Sequence, residues 1–569
     1  MTNKELLKQA SQVDVHQVAF HPIIRAYMQR LGLVDLINKL VGGEMEVKPG
    51  IIVAGMIQDT LSGRSPLYHL QDFFADQDTE LLLGEAVDPS VFGDHNVGRV
   101  LDRIQTVGSS KIFSEVARRA AVIFDLDLNS AHWDSTSVSV WGDGYSSSNP
   151  EGTIDLTYGY SKDHRPDLKQ FMLSMLCVEH NIPIMGESHD GNSSDKTLNN
   201  KLLTRISKDL AKHGLQEGAF TYTADSAMVT EENLACFDPI DGAAPFFFVT
   251  RLPRTYNETD RVVTEAVQAN QWQEIGVLAT SKATANRPCA SYKAYNTEVE
   301  LYGRTFRAIV IHSSNHDKRQ QKGIDKEISR ARHKLQDSIA VSLKTAFACL
   351  ADAEIERKRL HSLPMPCHTL VTRIEEEIKY AKGRPSKEGL RTIASRHWRI
   401  FADIAELTEV IEQKRAEAGC FVLLSNRPKE GSEAQTAEEL LRTYKAQDGI
   451  ERNFSFLKDP LIVNDLFLKN PERIEALGMI LLLCLLIWNL MQRQMRQHLE
   501  KTNSILEGLD RRKTTRPTSY MMTTKFKYVL ILKVGQARML KKPLSATQTA
   551  YLTALGLTEE IFTSIHSPP

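Results

Sequence analysis

Cysteine pairing is missing from this chain. Its seven cysteines, Cys177, Cys236, Cys289, Cys349, Cys367, Cys420 and Cys484, are scattered with no CxxC among them. That excludes a disulfide framework and a zinc site of ordinary spacing, and it suits a reducing cytosol. Net charge is nearly absent as well, with 70 Lys and Arg against 71 Asp and Glu. The opening MTNKELLKQASQVDVHQ carries no apolar run of signal-peptide type. No internal repeat is visible. Long apolar runs reduce to one, IEALGMILLLCLLIWNLM from Ile474 to Met491, interrupted by Glu475 and Asn489. With no second run to accompany it, the expectation is a buried core helix rather than a membrane span.

What is present is a folded, multi-domain composition. At 569 residues, 42% apolar and 25% charged, the chain exceeds one ordinary core and is expected to form roughly two to four domains. Its neutrality hides segregation. Residues 1–125 hold 12 Lys/Arg and 16 Asp/Glu, residues 301–400 hold 21 and 11, and residues 491–542 hold 13 and 3. Two basic blocks on a neutral chain fit a polyanionic partner.

Spacings of three and four recur through HPIIRAYMQRLGLVDLINKLV, GIIVAGMIQDTLSG, NVGRVLDRIQTV and SKIFSEVARRAAVIF, which predicts helices over most of residues 1–125. Then the pattern changes. SAHWDSTSVSVWG, LKQFMLSMLCVEH and IPIMGESHD read as three sequential strands. A helix from about Lys196 to His213 follows, capped by Ser194 or Asp195. FTYTADS is a fourth strand, EENLACF a short helix, and PFFFVTRLP a fifth strand. Hairpin-like strands followed by crossovers predict an α/β fold with a mixed sheet. Residues 254–418 interrupt it with strands near 298–313, a charged helical region from Lys318 to about Leu360, and strand-like HWRIFADI. GCFVLLSN closes the interruption as a strand.

Three carboxylates stand out by position. Asp134 lies in the first strand, Asp225 ends the fourth, and Glu451 follows the interruption in YKAQDGIERNFSFLK. In that stretch Tyr444, Gln447, Glu451 and Lys458 fall on one face of a continuous helix, where a core-packed helix should show apolar residues. Three acids at one sheet edge suit two divalent ions clamping a phosphodiester, and an all-oxygen site suits magnesium.

These residues resemble the DDE transposases of bacterial insertion sequences, which carry a ribonuclease H-like core and a helix signature of Tyr, Arg, Glu and Lys spaced Y-x2-R-x3-E-x6-K. Tyr444, Gln447, Glu451 and Lys458 keep that spacing, with Gln447 where the family has arginine. DSTS (134–137), GYSKDHRPDLKQ (159–170), GESHDGNSSD (186–195), TADSAM (223–228), FFFVTRLP (246–253) and GCFVLLSN are similar to the same group. So is the long insertion before the Glu-bearing helix. The matches span most of residues 130–490.

The resemblance implies a ribonuclease H-like mixed sheet with flanking helices, split by a large α+β insertion and preceded by a helical N-terminal domain. The expected divisions are 1–128 for that helical domain, with DNA-end recognition as a role, and 129–253 for the first part of the core. Residues 254–426 form the insertion, 427–497 the second part of the core, and 498–569 a basic tail, loosely structured by composition apart from YVLILKV (528–534). It implies catalytic, metal-holding Asp134, Asp225 and Glu451, with two Mg2+ ions for which Mn2+ can substitute. Lys458, Tyr444 and Gln447 would contact DNA, the neutral Gln447 more weakly than arginine would. Lys382 and Arg384, in KGRPSK, resemble the Arg-Pro hooks that enter minor grooves. Trp398 reads as core rather than as a base-stacking residue. His132, Asp163 and His189 read as hydrogen-bonding supports. Partners would be double-stranded DNA at transposon ends and target, with a homodimer in the DNA complex and no membrane. The location implied is the bacterial cytoplasm, at the nucleoid. Two alternatives remain open: a ribonuclease H-like nuclease without strand transfer, and an inactive DNA-binding relic.

Overall fold

The period-two pattern of SAHWDSTSVSV becomes an 11-residue strand, and the runs after it extend a sheet from that strand in both directions. A computed structural model describes residues 13–43, 45, 47–63, 69–140, 153–179, 181–212, 220–239, 246–279, 288–383, 391–458 and 471–565. The chain divides into two compact units, Met1–Thr250 with Leu440–Pro569, and Arg251–Glu439.

The first unit opens with β1 (Asp14–His16) and the helices α1 (His21–Leu31), α2 (Leu33–Val41), α3 (Pro49–Ser62), α4 (Asp94–Val107) and α5 (Ser109–Ile123). Pro22 and Pro49 stand in first turns, where a missing N–H leaves no bond unmade. The sheet follows: β2 (Ser130–Val140), β3 (Lys169–Val178), β4 (Ile182–His189), then α6 (Asp195–Leu203), α7 (Ile206–Lys212), β5 (Thr221–Thr223) and β6 (Phe247–Arg251). Their spatial order is β4-β3-β2-β5-β6. The first three are antiparallel neighbours, and β5 and β6 are added parallel to β2. This is a mixed α/β sheet, and β3 is buried along nearly its whole length.

The second unit contains α8 (Asn257–Ala269), β7 (Gln273–Val277), β8 (Ser291–Leu301), β9 (Arg304–Ser313), α9 (Ser314–Lys344) and α10 (Leu350–His361). It continues with β10 (His368–Tyr380), β11 (Ile393–Glu406), α11 (Thr408–Glu417) and β12 (Cys420–Ser425). Strands β12-β9-β8-β7 form an antiparallel sheet, and β10 and β11 form a separate long hairpin. The charged helical region consists of two helices, α9 and α10. Between them Phe347 exchanges backbone hydrogen bonds with Trp398 at 2.9 Å each. Trp398 packs on the cluster of Leu335, Ile339, Leu360, Leu370 and Ile400, a core position.

The chain returns to the first unit through α12 (Ala437–Lys445), α13 (Asp448–Leu457) and α14 (Pro471–Thr502). Among the described residues α14 is the one helix long and apolar enough to cross a membrane, and 89% of its most apolar window is buried inside the protein. Its polar groups have partners there. Asn489 donates to the Asn181 carbonyl at 2.7 Å and to Asn453 Oδ1 at 3.0 Å, and Arg473 pairs with Asp102 at 2.7 Å. Gly186 of β4 permits the close approach, since a Cβ there would stand 2.4 Å from Leu482 Cδ1.

Residues 498–565 are more ordered than the expected tail, in which YVLILKV alone was to be structured. Ile531–Val534 pairs with β1 and with Ala537–Leu540. Phe526, Tyr551, Leu555, Ile561 and Phe562 are buried. The fully buried Arg25 donates to the carbonyls of Ile561 (2.9 Å) and Ser564 (3.0 Å). Composition misled because part of the basic excess is a counter-charge: Lys533 and Arg538 pair with Asp78 and Glu80 of the acidic N-terminal region.

Candidate active site

Asp134 and Asp225 reach one place through strand register. In the parallel pair β2–β5, His132 stands opposite Thr223. Asp134 and Asp225 each lie two residues further on, so alternation points both side chains to the face that His132 and Thr223 share. β5 ends just before Asp225, whose side chain caps a short 3-10 turn by accepting from the Ala227 N–H at 3.0 Å. Thr250 on β6 donates to the Asp225 carbonyl at 2.9 Å and fixes that end.

Two residues that the sequence did not single out complete the group. Lys162 Nζ lies 3.6 Å from Asp134 Oδ1 and 3.2 Å from Asp195 Oδ2, and it donates to the Ser135 carbonyl at 2.6 Å. Asp195, at the first position of α6, also accepts from the Ser135 hydroxyl. Lys162 is anchored by its own N–H, which donates to Ser137 Oγ at 3.0 Å. Two aspartates therefore flank one ammonium, and the charge of Asp225 acts on it as well. Sequence reasoning offered Asp195 or Ser194 as the helix cap and included Asp195 in the family-like GESHDGNSSD without giving it a role; Ser194 is the cap.

Electrostatics mark the same group. Burial, together with the charges of Asp225 and Asp195, pushes the Asp134 carboxyl up to about 7 against the pull of Lys162 and the Ser135 N–H. Burial and Asp195 raise Asp225 as well. Burial pulls the Lys162 ammonium down, but Asp134 and Asp195 more than offset it and the net shift is upward. All three shifts are upward, so the cluster favours neutral aspartates beside a charged ammonium, the kind of perturbed group found at sites that handle charge.

Tyr444, Gln447, Glu451 and Lys458 do not form one continuous stripe. The helix breaks at Ala446 and Gln447, where bonds of the i to i−3 kind tighten the turn: Gln447 N–H to Tyr444 O at 3.2 Å and Ile450 N–H to Gln447 O at 3.0 Å. Tyr444 lies on α12, Gln447 caps α13, Glu451 is in the first turn of α13, and Lys458 is its C-cap. Asp448-Gly449 explains the break, since glycine weakens a helix by up to ~1 kcal/mol. The sheet-facing side of α13 is Gly449, Ile450, Asn453, Phe454 and Leu457. Asn453 donates to the Asn181 carbonyl at 2.8 Å.

Glu451 is exposed. Among the described residues no three His, Cys, Asp or Glu side chains form a metal-holding group, so Asp134, Asp225 and Glu451 are not gathered as one. Lys458 does reach the neighbourhood, pairing with Asp163, the residue after Lys162, at 2.7 and 2.8 Å. His132 lies 3.2 Å from Ser130 Oγ and His189 2.7 Å from Ser174 Oγ. Lys382 is exposed just beyond β10 in the second unit, and Arg384 lies outside the described residues.

Known proteins resemble the chain in two respects. Residues 13–118 match the family model described as a domain of unknown function, DUF4277. A chain of the piggyBac transposase synaptic complex with hairpin DNA, determined by cryo-EM, is similar at 10% identity and a TM-score of 0.32, over 82% of this chain and 73% of that one. No curated protein matches.

Proposed function

We propose that the protein is a DNA transposase of the DDE type, performing phosphoryl transfer on double-stranded DNA at the ends of a mobile element. The observation that carries this reading is the convergence of Asp134 on β2 and Asp225, just past the end of the adjacent parallel strand β5, with Asp195 nearby and a cation, Lys162, already held between carboxylates. The strand order β4-β3-β2-β5-β6 supports a ribonuclease H-like core, and the Tyr444, Gln447, Glu451 and Lys458 spacing supports the family.

An all-oxygen, acidic donor set that draws an ammonium into its middle fits magnesium in kind. Asp134 and Asp225 would hold it, with Asp195 as a further acid; Glu451, exposed on α13 and not gathered with them, would have to move in to serve as the third family carboxylate. When bound, the metal supplies charge neutralisation for the phosphodiester and activation of the attacking hydroxyl. The chain's own residues set the conditions. Asp134 has to release its proton, and the Lys162 ammonium has to withdraw toward Ser135 or solvent. Lys458, at the end of α13, provides a point charge for a DNA phosphate once it leaves Asp163.

The test is cleavage of a labelled duplex carrying the DNA that borders the element, with Mg2+ and with EDTA, for wild type, Asp134→Asn, Asp225→Asn and Glu451→Gln. Magnesium-dependent cleavage by wild type and its loss in the three variants is the expected result. Equal cleavage by all would refute the site. Joining of a pre-cleaved 3′-hydroxyl end to target DNA separates a transposase from a nuclease.

A further inference from the structure

The second unit contains a cavity of about 460 Å³ that the catalytic reading does not use. It is walled by α8, α9, α11 and β12, within the size range of small-ligand pockets. Its chemistry is cationic on one side. Arg251, Arg254 and Arg319 line it, and none of the three pairs with a carboxylate among the described residues. The guanidinium of Arg251 lies over the Phe421 ring, 5.4 Å from its centre, a cation–π contact. Arg254 donates to the Cys420 carbonyl at 3.5 Å.

Three acids line the cavity too, and two of them are engaged. Glu327 pairs with Lys414 at 2.7 Å, Glu417 accepts from Thr264 at 2.8 Å and Gln413 at 3.0 Å, and Asp260 is exposed on α8. The three arginines line the same cavity, and each acts on His316. Burial first, then the charges of Arg251, Arg254 and Arg319, hold His316 below its ordinary value. Cations that are not ion-paired remain available to an anion that enters beside them.

We propose that this cavity is a phosphate-binding site for a DNA strand, in which Arg251, Arg254 and Arg319 grip one phosphodiester beside the Phe421 ring. Planar, forked guanidinium groups match phosphate oxygens in pairs. The proposal shares with the functional reading above the assumption that DNA is the partner, but it requires no metal and no chemistry.

The experiment measures binding of a fluorescent 30-base-pair duplex by the full chain in EDTA, across a salt series. A second arm uses the same duplex with one unpaired terminal nucleotide. Arg319→Glu is the probe, because Arg319 is exposed on α9 and its replacement leaves no packing gap. Arg332→Glu, exposed further along the same helix, controls for general charge. The expected result is at least a ten-fold weakening by Arg319→Glu, little change by Arg332→Glu, and a salt slope lowered by about one. A larger Arg319 effect on the second probe identifies the unpaired nucleotide as the source of the phosphate; equal effects identify the duplex backbone. Equal losses in both variants, or none in Arg319→Glu, would overturn the pocket while leaving DNA as partner. Failure of wild type to bind either probe would remove the partner itself.

Discussion

Lys162 stands between Asp134 and Asp195, 3.6 Å from one carboxylate and 3.2 Å from the other. The ammonium thus occupies the side of the cluster that a divalent ion has to share. Two consequences oppose each other. Removing the lysine leaves partly buried carboxylates facing one another, which destabilises the fold without metal. The same removal takes away an internal competitor, so bound magnesium should stabilise the variant more than it stabilises wild type.

Lys162→Ala should therefore melt several degrees below wild type in EDTA and recover more of the difference as Mg2+ is added. Thermal melts at fixed protein concentration check this. Identical magnesium-induced shifts in the two proteins would show that the lysine does not compete for the site.

The displaced Asp134 carboxyl makes stability depend on pH. Its value rises from 3.8 to about 7 on folding. A raised folded-state value favours the native state fully below about pH 4, and that contribution is lost as pH rises toward and through 7. The loss amounts to about a few kcal/mol. Metal-free wild type should soften between pH 5 and 8, whereas Asp134→Asn should show a flatter profile and melt higher than wild type at pH 8. Binding of Mg2+ should strengthen over the same interval, because the ion displaces the proton. A wild-type melting profile no steeper than that of the variant would show that Asp134 ionises as an ordinary surface acid.

Much of this was legible in sequence, and the exceptions have physical causes. Alternation placed β2, β3 and β4 within two residues of their observed bounds, because a strand buried on at least one face writes its period into the residues. Asp134 and Asp225 were legible as strand-borne acids for the same reason. Asp195 and Lys162 were not, because a helix-start aspartate and a loop lysine carry no period and meet only through tertiary folding. The break at Gln447 was hidden too. Helical spacing describes which residues could share a face, whereas Asp448-Gly449 decides whether the helix stays continuous.

Asp195 now has a specific expectation. Its carboxylate shares Lys162 with Asp134 and takes the Ser135 hydroxyl. If it positions the cluster, Asp195→Asn should lower cleavage about 10- to 100-fold, the range typical of groups that orient metal ligands. Part of that loss should return at higher Mg2+. If it contacts the ion directly, the loss should match that of Asp134→Asn and resist added metal. Wild-type activity in the variant would exclude both roles.

The pair formed by Lys458 and Asp163 yields a gain-of-binding test. Both groups are partly exposed, at 23% and 39% of the side chain, so the bridge itself contributes under ~1 kcal/mol to stability. It does hold the cation on a protein carboxylate, where it competes with DNA phosphate. Asp163→Asn should leave the melting temperature nearly unchanged and tighten duplex binding by about two- to five-fold at low salt, with the gain fading as salt rises. Lys458→Ala should weaken it. Unchanged affinity in Asp163→Asn would mean that Lys458 serves the fold alone.

The clamp between the two ends of the first unit makes the boldest stability prediction. Arg538 is 3% exposed and donates to Asp78, which is fully buried, and to Glu80. Burial raises the Asp78 carboxyl, but the hydrogen bonds from Arg538 and Lys533 outweigh it and bring it down to about 2. A depressed value gives stability above the ordinary carboxylate range that is lost as pH falls from about 4 toward 2. Arg538→Ala would strand a buried carboxylate with Lys533 as its remaining cation, at a cost of about 3 kcal/mol. The double variant Arg538→Met with Asp78→Leu removes both charges and should recover most of that loss, since the charges rather than the space are the problem. Chemical denaturation of the full chain measures both. Equal instability in the single and double variants would show that the clamp works through side-chain packing, and that the basic C-terminal segment is not the electrostatic complement of the acidic N-terminal helices.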